Sequence, residues 1–266
     1  MSQQVYFLTG CASGIGKHMA QVLSADGHNI IATDINEDGL PPASDNLLPR
    51  QLDVRDADRW AELVDEAVQT WGRIDVLMNI AAYLLPAYIK DMSINDIHKH
   101  MDINAKGVML GMHALIPHMM ANGSGHIINI SSLAGIAPIP GIALYSASKH
   151  AVRAISIASA IELASQNIAV TVICPDAVQT PMLDLEKQYD ESALTFSAPK
   201  ILSVTDIEQA IRVALRTRRM EITIPRYRGW LTKVSGILPT LASRIAPIFT
   251  KQGQKKLDKI RAHLSD

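Results

Sequence analysis

Cysteine is scarce. Cys11 and Cys174 are the two in 266 residues, and they lie far apart. That leaves no disulfide framework and makes a reducing cytosol the expected compartment. An excess of charge of either sign is also missing: the formal net charge is −1 at pH 7, so the overall balance carries no nucleic-acid footprint. Long unbroken apolar runs are lacking too. The most apolar late stretch, Val234 to Phe249, contains Arg244, Pro239 and Pro247, too broken for a membrane-spanning helix. The opening Met1-Ser2-Gln3-Gln4 runs straight into strand-like Val5-Tyr6-Phe7-Leu8, which does not fit a signal peptide. Internal repeats and low-complexity linkers are absent. What is abundant is apolar character, 48% of the chain, enough for a sizeable core.

Along the chain, short apolar runs alternate with amphipathic ones. Val5–Thr9, Asn29–Asp34, Leu52–Val54, Asp75–Ile80, Ile127–Ile130, Ala169–Ile173 and Glu221–Ile224 read as strands. Ile15–Ala25, Asp56–Thr70, Ser93–Met120, Tyr145–Ala164 and Asp206–Arg216 read as helices. Asp56 stands where an N-cap is favoured, and Thr205-x-x-Glu208 reads as a capping box. This alternation predicts βαβ units: one α/β domain over residues 1–266, a doubly wound Rossmann-type parallel sheet of about seven strands with helices on both faces. The segment 179–203 has no clear periodicity and reads either as a mobile substrate lid or as an ordinary surface loop.

Two clusters carry chemistry. Thr9-Gly10-Cys11-Ala12-Ser13-Gly14-Ile15-Gly16 follows a strand and opens a helix. Glycines there let the backbone turn tightly and approach a pyrophosphate, which sits against the positive helix end. Asp34 ends the next strand, 18 residues after Gly16. A carboxylate there accepts from adenosine ribose hydroxyls and repels a 2′-phosphate, which favours NAD over NADP. In the second cluster, Tyr145 and Lys149 are four apart on one helix face. Ser132 follows the strand Ile127–Ile130, 13 residues before Tyr145. A phenol beside an ammonium, facing a hydroxyl at a strand's carboxyl edge, is a device for moving a proton on or off an alcohol oxygen. Free tyrosine titrates near about 10, and a nearby positive charge is expected to favour the phenolate.

From Val5 to Ile224 these features together resemble the classical short-chain dehydrogenase/reductase family. The Gly-x3-Gly-x-Gly spacing is that family's form of the dinucleotide loop. Asp53-Val54 resembles the pair that contacts adenine, and Asn79-Ile80-Ala81-Ala82 resembles the family's Asn-Asn-Ala-Gly segment. Tyr145-Ser146-Ala147-Ser148-Lys149 matches Tyr-x3-Lys, and Pro175-Asp176-Ala177-Val178-Gln179-Thr180 resembles Pro-Gly-x-x-x-Thr at the nicotinamide. The resemblance implies catalytic Asn104, Ser132, Tyr145 and Lys149. Lys149 would also bond the nicotinamide ribose, Ser132 would hold the substrate oxygen, and Asn104 would position a water leading to Lys149. It implies an NAD site built from Gly10, Ser13, Gly14, Ile15, Gly16, Asp34, Ile35, Asp53, Val54, Asn79, Ala81, Tyr145, Lys149, Pro175, Val178 and Thr180. It implies a homodimer or homotetramer, with the long 93–120 helix and the Tyr145 helix at the dimer interface. Asp176 departs from the family's glycine; its side chain either points outward, narrows the nicotinamide pocket or places an extra acceptor near the substrate.

Other polar residues read as structural. His98, His100, His113 and His118 lack acid partners for a metal site, so none is expected. Ser131 reads as a backbone-bonding turn residue and Cys11 as a small filler. Residues 225–266 are basic and apolar, with Pro239 and Pro247 expected to interrupt a continuous helix. They read as a pocket wall or subunit contact, with peripheral membrane contact as the alternative. The expected function is an NAD-dependent oxidoreductase acting on a hydrophobic secondary alcohol or its ketone. The alternatives are a non-catalytic NAD-binding regulator on the same fold and, less favoured by the glycine spacing, a sugar-nucleotide epimerase.

Overall fold

The computed structural model describes residues 3–265. Strands β1 (Val5–Thr9), β2 (Asn29–Asp34), β3 (Leu47–Gln51), β4 (Val76–Asn79), β5 (Gly125–Ile130), β6 (Ile168–Pro175) and β7 (Glu221–Ile224) form one seven-stranded sheet in the order β3-β2-β1-β4-β5-β6-β7. Every pairing is parallel. Parallel strands need crossovers, and helices supply them: α1 (Gly14–Ala25), α2 (Ala57–Trp71), α3 (Ile94–Lys99), α4 (Gly107–Ala121), α5 (Ala143–Glu162) and α7 (Val204–Thr217), with the short α6 (Pro181–Glu186) before α7. The β1 register shows why both faces are covered. Tyr6 and Leu8 point into a core with Met19, Leu23 and Ile211, while Val5 and Phe7 point into the opposite core with Trp60, Leu63 and Leu115. A strand buried on both sides reads as an unbroken apolar run.

The structure corrects four sequence expectations. The third strand is Leu47–Gln51, not Leu52–Val54; it lies at the sheet edge, where Pro49 needs no donor on its open side. The capping box of α7 is Ser203 with Asp206, not Thr205 with Glu208; Glu208 instead bonds Arg212 and His18. The long 93–120 helix is divided by a π-helical turn over His100–Lys106. After β7 the chain forms α8 (Arg226–Ile237) and α9 (Pro239–Ser265). Pro239 separates these two, but Pro247 lies inside α9 and does not end it.

Strand order reverses between β1 and β4, and the carboxyl ends of β1, β2, β4, β5 and β6 open into one crevice there. That is where an open α/β sheet places its ligands.

Candidate active site

A cavity of about 1090 Å³ follows this crevice and continues under α8 and α9. Its floor at one end is the glycine loop. Gly10 takes φ +76°, and a Cβ there would lie 2.8 Å from the Ala81 amide nitrogen. A Cβ on Gly16 would lie 2.1 Å from the Gly10 carbonyl oxygen, so only hydrogen lets α1 pack this closely on the loop. Ser13, the N-cap of α1, makes no side-chain cap bond, and the first turn carries no acid. The helix end is therefore left to attract an anion. Asp34 closes this part of the wall, its Oδ2 accepting from the Ala12 amide at 3.0 Å and its Oδ1 from the Asn36 amide at 2.9 Å. These features fit a nicotinamide dinucleotide: a cradle without side chains, an uncapped helix end and a carboxylate at the ribose position.

Among the expected cofactor residues, Gly10, Ser13, Gly14, Ile15, Gly16, Asp34, Ile35, Asp53, Val54, Ala81, Tyr145, Lys149, Pro175, Val178 and Thr180 line this one cavity. Asn79 does not. It is buried and donates to Asn129 Oδ1 at 2.8 Å, and Asn129 in turn donates to Ser156 Oγ at 2.9 Å. Asn79 therefore ties β4 to β5 behind the wall. The following turn is held by Thr9, whose Oγ1 accepts from the Ile80 and Ala81 amides. Asp53 is engaged by Arg55, whose guanidinium holds the carboxyl below its usual range.

Ser132, Tyr145 and Lys149 line the same cavity. Lys149 is buried and donates from Nζ to the Ile130 carbonyl at 2.8 Å, with Nζ 5.6 Å from the Tyr145 ring centroid. Burial pushes its ammonium down to about 8. Ser131 donates to the Lys149 main-chain carbonyl at 2.8 Å, the turn role its position suggested. Ser132 Oγ accepts from the Ala134 amide at 3.1 Å and lies against the phenol of Tyr145.

The expected depressed phenol is not what the protein alone produces. Burial and the charge of Glu186 raise Tyr145 above its ordinary value, and the hydroxyl of Ser132 only partly opposes them. The same burial weakens the ammonium of Lys149. The unliganded site therefore keeps Tyr145 as a neutral phenol, the proton-donating form.

Asn104 stands outside the cavity. It lies in the π-helical turn, fully buried, donating to the Tyr83 carbonyl at 2.8 Å and to Ser148 Oγ at 2.9 Å while accepting from the Tyr83 amide at 2.6 Å. It joins the loop after β4 to α5, the helix that carries Tyr145 and Lys149. His100 is also structural: Nδ1 meets the Asp96 carbonyl at 2.7 Å and Nε2 accepts from the Leu85 amide. Cys11 and Cys174 are both buried and free, and burial raises both thiols.

Two features of the wall go beyond the sequence reading. Asp176 lines the cavity and is mostly buried. Its Oδ2 accepts from Arg228 Nε at 2.8 Å, tying the end of β6 to α8. Leu231 and Val234 of α8, Leu238 just after it, and Ile245, Ala246 and Phe249 of α9 then wall the cavity with apolar surface. Glu186, in the aperiodic 179–203 segment, is 5% exposed and lines the cavity together with Tyr145. Only its spacing from Leu183, one helical turn earlier, hinted that it faces inward.

The sheet defines a Rossmann-type fold, and the crevice at its strand ends brings a buried phenol and a buried ammonium together. The family profile described as short chain dehydrogenase matches residues 4–190, and the chain belongs to that family. It is 36% identical over 203 residues to a 3-oxoacyl-[acyl-carrier-protein] reductase of Thermotoga maritima, covering 72% of this chain and 81% of the relative. It is 34% identical over 189 residues to a 2,5-dichloro-2,5-cyclohexadiene-1,4-diol dehydrogenase of Sphingobium indicum, covering 68% and 76%. A short chain dehydrogenase from Mycobacterium paratuberculosis, solved bound to NAD, superposes with a TM-score of 0.72 at 30% identity over 83% of this chain and 96% of its own. Structures of this fold hold NAD or NADP, so the fold alone does not select the dinucleotide. Among the described residues, no helix is long and apolar enough to cross a membrane, and no cluster of metal-ligating side chains occurs.

Proposed function

We propose that the chain is an NAD-dependent oxidoreductase that interconverts a hydrophobic secondary alcohol and its ketone, with Tyr145 as general acid and base. The observation that carries this reading is the single cavity shared by the glycine loop, Asp34, Ser132, Tyr145 and Lys149. A nicotinamide dinucleotide held by the glycine loop, Asp34 and Lys149 would supply hydride acceptance or donation. The residues of the chain do the rest. Ser132 and Tyr145 hold the substrate oxygen. Tyr145 takes the hydroxyl proton as the carbon loses hydride, or returns it to the developing alkoxide in reverse. Lys149 bonds the nicotinamide ribose, and the apolar walls of α8 and α9 exclude water.

Both directions of this chemistry are named among the relatives, a reductase of an oxoacyl group and a dehydrogenase of a diol. The NAD preference is supported by Asp34, which opposes a 2′-phosphate, and by the NAD-bound relative. A homo-oligomer through α4 and α5 is supported by the exposed apolar side chains Met109, Met120 and Ile161, and sedimentation would check it. The position of Asn104 supports a positioning role, through Tyr83 and Ser148. Turnover of an alcohol and ketone panel with each dinucleotide tests the whole reading. Activity with NAD(H) well above that with NADP(H) is expected, and a clear NADP preference would contradict the role given to Asp34.

A further inference from the structure

Glu186 is an expensive residue at its position. A carboxyl taken out of water is destabilising unless its oxygens are bonded, and packing alone is served as well by leucine. Yet Glu186 is 5% exposed, and its Oε2 has no hydrogen-bond partner. The Thr195 hydroxyl beside it favours the charged form, and Thr195 Oγ1 has no other hydrogen-bond partner. The local fold does not need this side chain: the bonds from Ser192 Oγ and the Tyr189 amide go to the Glu186 main-chain carbonyl. Glu186 and Thr195 both line the cavity that holds Tyr145, among Leu183 and Leu194. The charge of Glu186 is felt at the phenol, so the two groups face the same space.

We propose that Glu186, with Thr195 beside it, forms a polar subsite in an otherwise apolar substrate cavity and takes a second hydroxyl of the substrate, so that diols and hydroxyketones are preferred over mono-oxygenated counterparts of the same skeleton. The proposal rests on the oxidoreductase reading of the cavity. A hydroxyl suits the site in either protonation state. It donates to the carboxylate, and it accepts from the neutral acid while donating to Thr195. A substrate with a carboxylate at this point meets a like charge and a desolvation cost and is rejected. Discrimination follows the usual asymmetry: a buried polar group left unpaired by the wrong ligand penalises that ligand more strongly than a missing methylene would.

The test uses the full chain with NAD, and cyclohexanol against the isomeric cyclohexanediols and a secondary decanol against decanediols that share its secondary hydroxyl. The expected result is a kcat/KM for the best diol roughly tenfold or more above that of its mono-alcohol. Glu186→Leu brings this ratio close to unity, and Glu186→Gln, which still donates and accepts, recovers part of it. A ratio in Glu186→Leu equal to that of the wild type, or a wild type that prefers the mono-alcohol in both pairs, overturns the subsite while leaving the oxidoreductase standing. Absence of any turnover by the wild type overturns both. Melting temperature reports whether each variant folds. Should Glu186→Leu fail to fold, Glu186→Met, which also lacks a comparable hydrogen-bonding group, carries the test, and a ratio unchanged from the wild type overturns the proposal.

Discussion

At the scale of single residues, the site is organised by what burial does to charge. Tyr145, Lys149 and Glu186 are all pushed toward their neutral forms, chiefly by desolvation. For Glu186 this has a measurable consequence. Its carboxyl is raised from 4.5 to about 7 in the folded chain. Below pH 4.5 both folded and unfolded forms hold the proton; between 4.5 and about 7 only the folded form does. Stability therefore falls as pH rises through that window, by about 3 kcal/mol in total. Denaturant titrations of Glu186→Gln should show a flatter profile between these limits, and a wild-type slope retained in the variant would assign the effect elsewhere. Asp34 makes a second prediction. Asp34→Ala removes the carboxylate that opposes a 2′-phosphate, and the ratio of kcat/KM for NADP over NAD should rise roughly tenfold or more. A ratio that does not move would place dinucleotide choice in another residue.

At the scale of elements, the 179–203 segment and the C-terminal helices act as one cover. A Cβ on Gly253 of α9 would lie 1.8 Å from the Ala193 carbonyl, so this helix packs backbone to backbone on the segment. Leu257 is buried against Leu183 and Phe196, and Lys256 donates to the Ala198 carbonyl at 2.7 Å. The cover is fixed to the sheet through Asp176 and Arg228, and through Glu221, which pairs with both Arg153 and Lys233. Asp176→Asn removes one charge from a mostly buried pair. It should cost about 1–2 kcal/mol, less than a fully buried pair would, and lower the melting temperature by roughly 2–8 °C. It should also raise KM for apolar substrates more than it lowers kcat. Hydrogen exchange along α8 reads the same loosening, and unaltered α8 protection would contradict the anchor.

Much of this was legible in the sequence. β1 and β5 are buried on both faces and therefore read as continuous apolar runs, and Tyr145 and Lys149 share a face because helical spacing requires it. The edge strand β3 was misread because Pro49 and Arg50 interrupt its apolar pattern, which one-sided pairing tolerates. The true cap at Ser203 was obscured by a second pair with the same spacing two residues later. The cover was illegible for a different reason: its order comes from contacts distant in sequence, such as Gly253 on Ala193 and Arg228 on Asp176, and no local period encodes them.

At the scale of the whole molecule, the parallel sheet gathers five strand ends at one crevice, and the chain beyond β7 folds back to roof it with apolar surface. The central claim is that this roofed crevice performs hydride chemistry with Tyr145 moving the proton. The most direct measurement follows NADH absorbance during turnover of a panel of hydrophobic secondary alcohols and ketones by the wild type and by Tyr145→Phe, with NADH binding followed by fluorescence in both. The account predicts turnover by the wild type, a loss of roughly 10²–10⁴-fold or more in the variant, and retained NADH binding. Turnover by Tyr145→Phe at the wild-type rate, or a wild type that binds NADH yet turns over nothing in the panel, would contradict it.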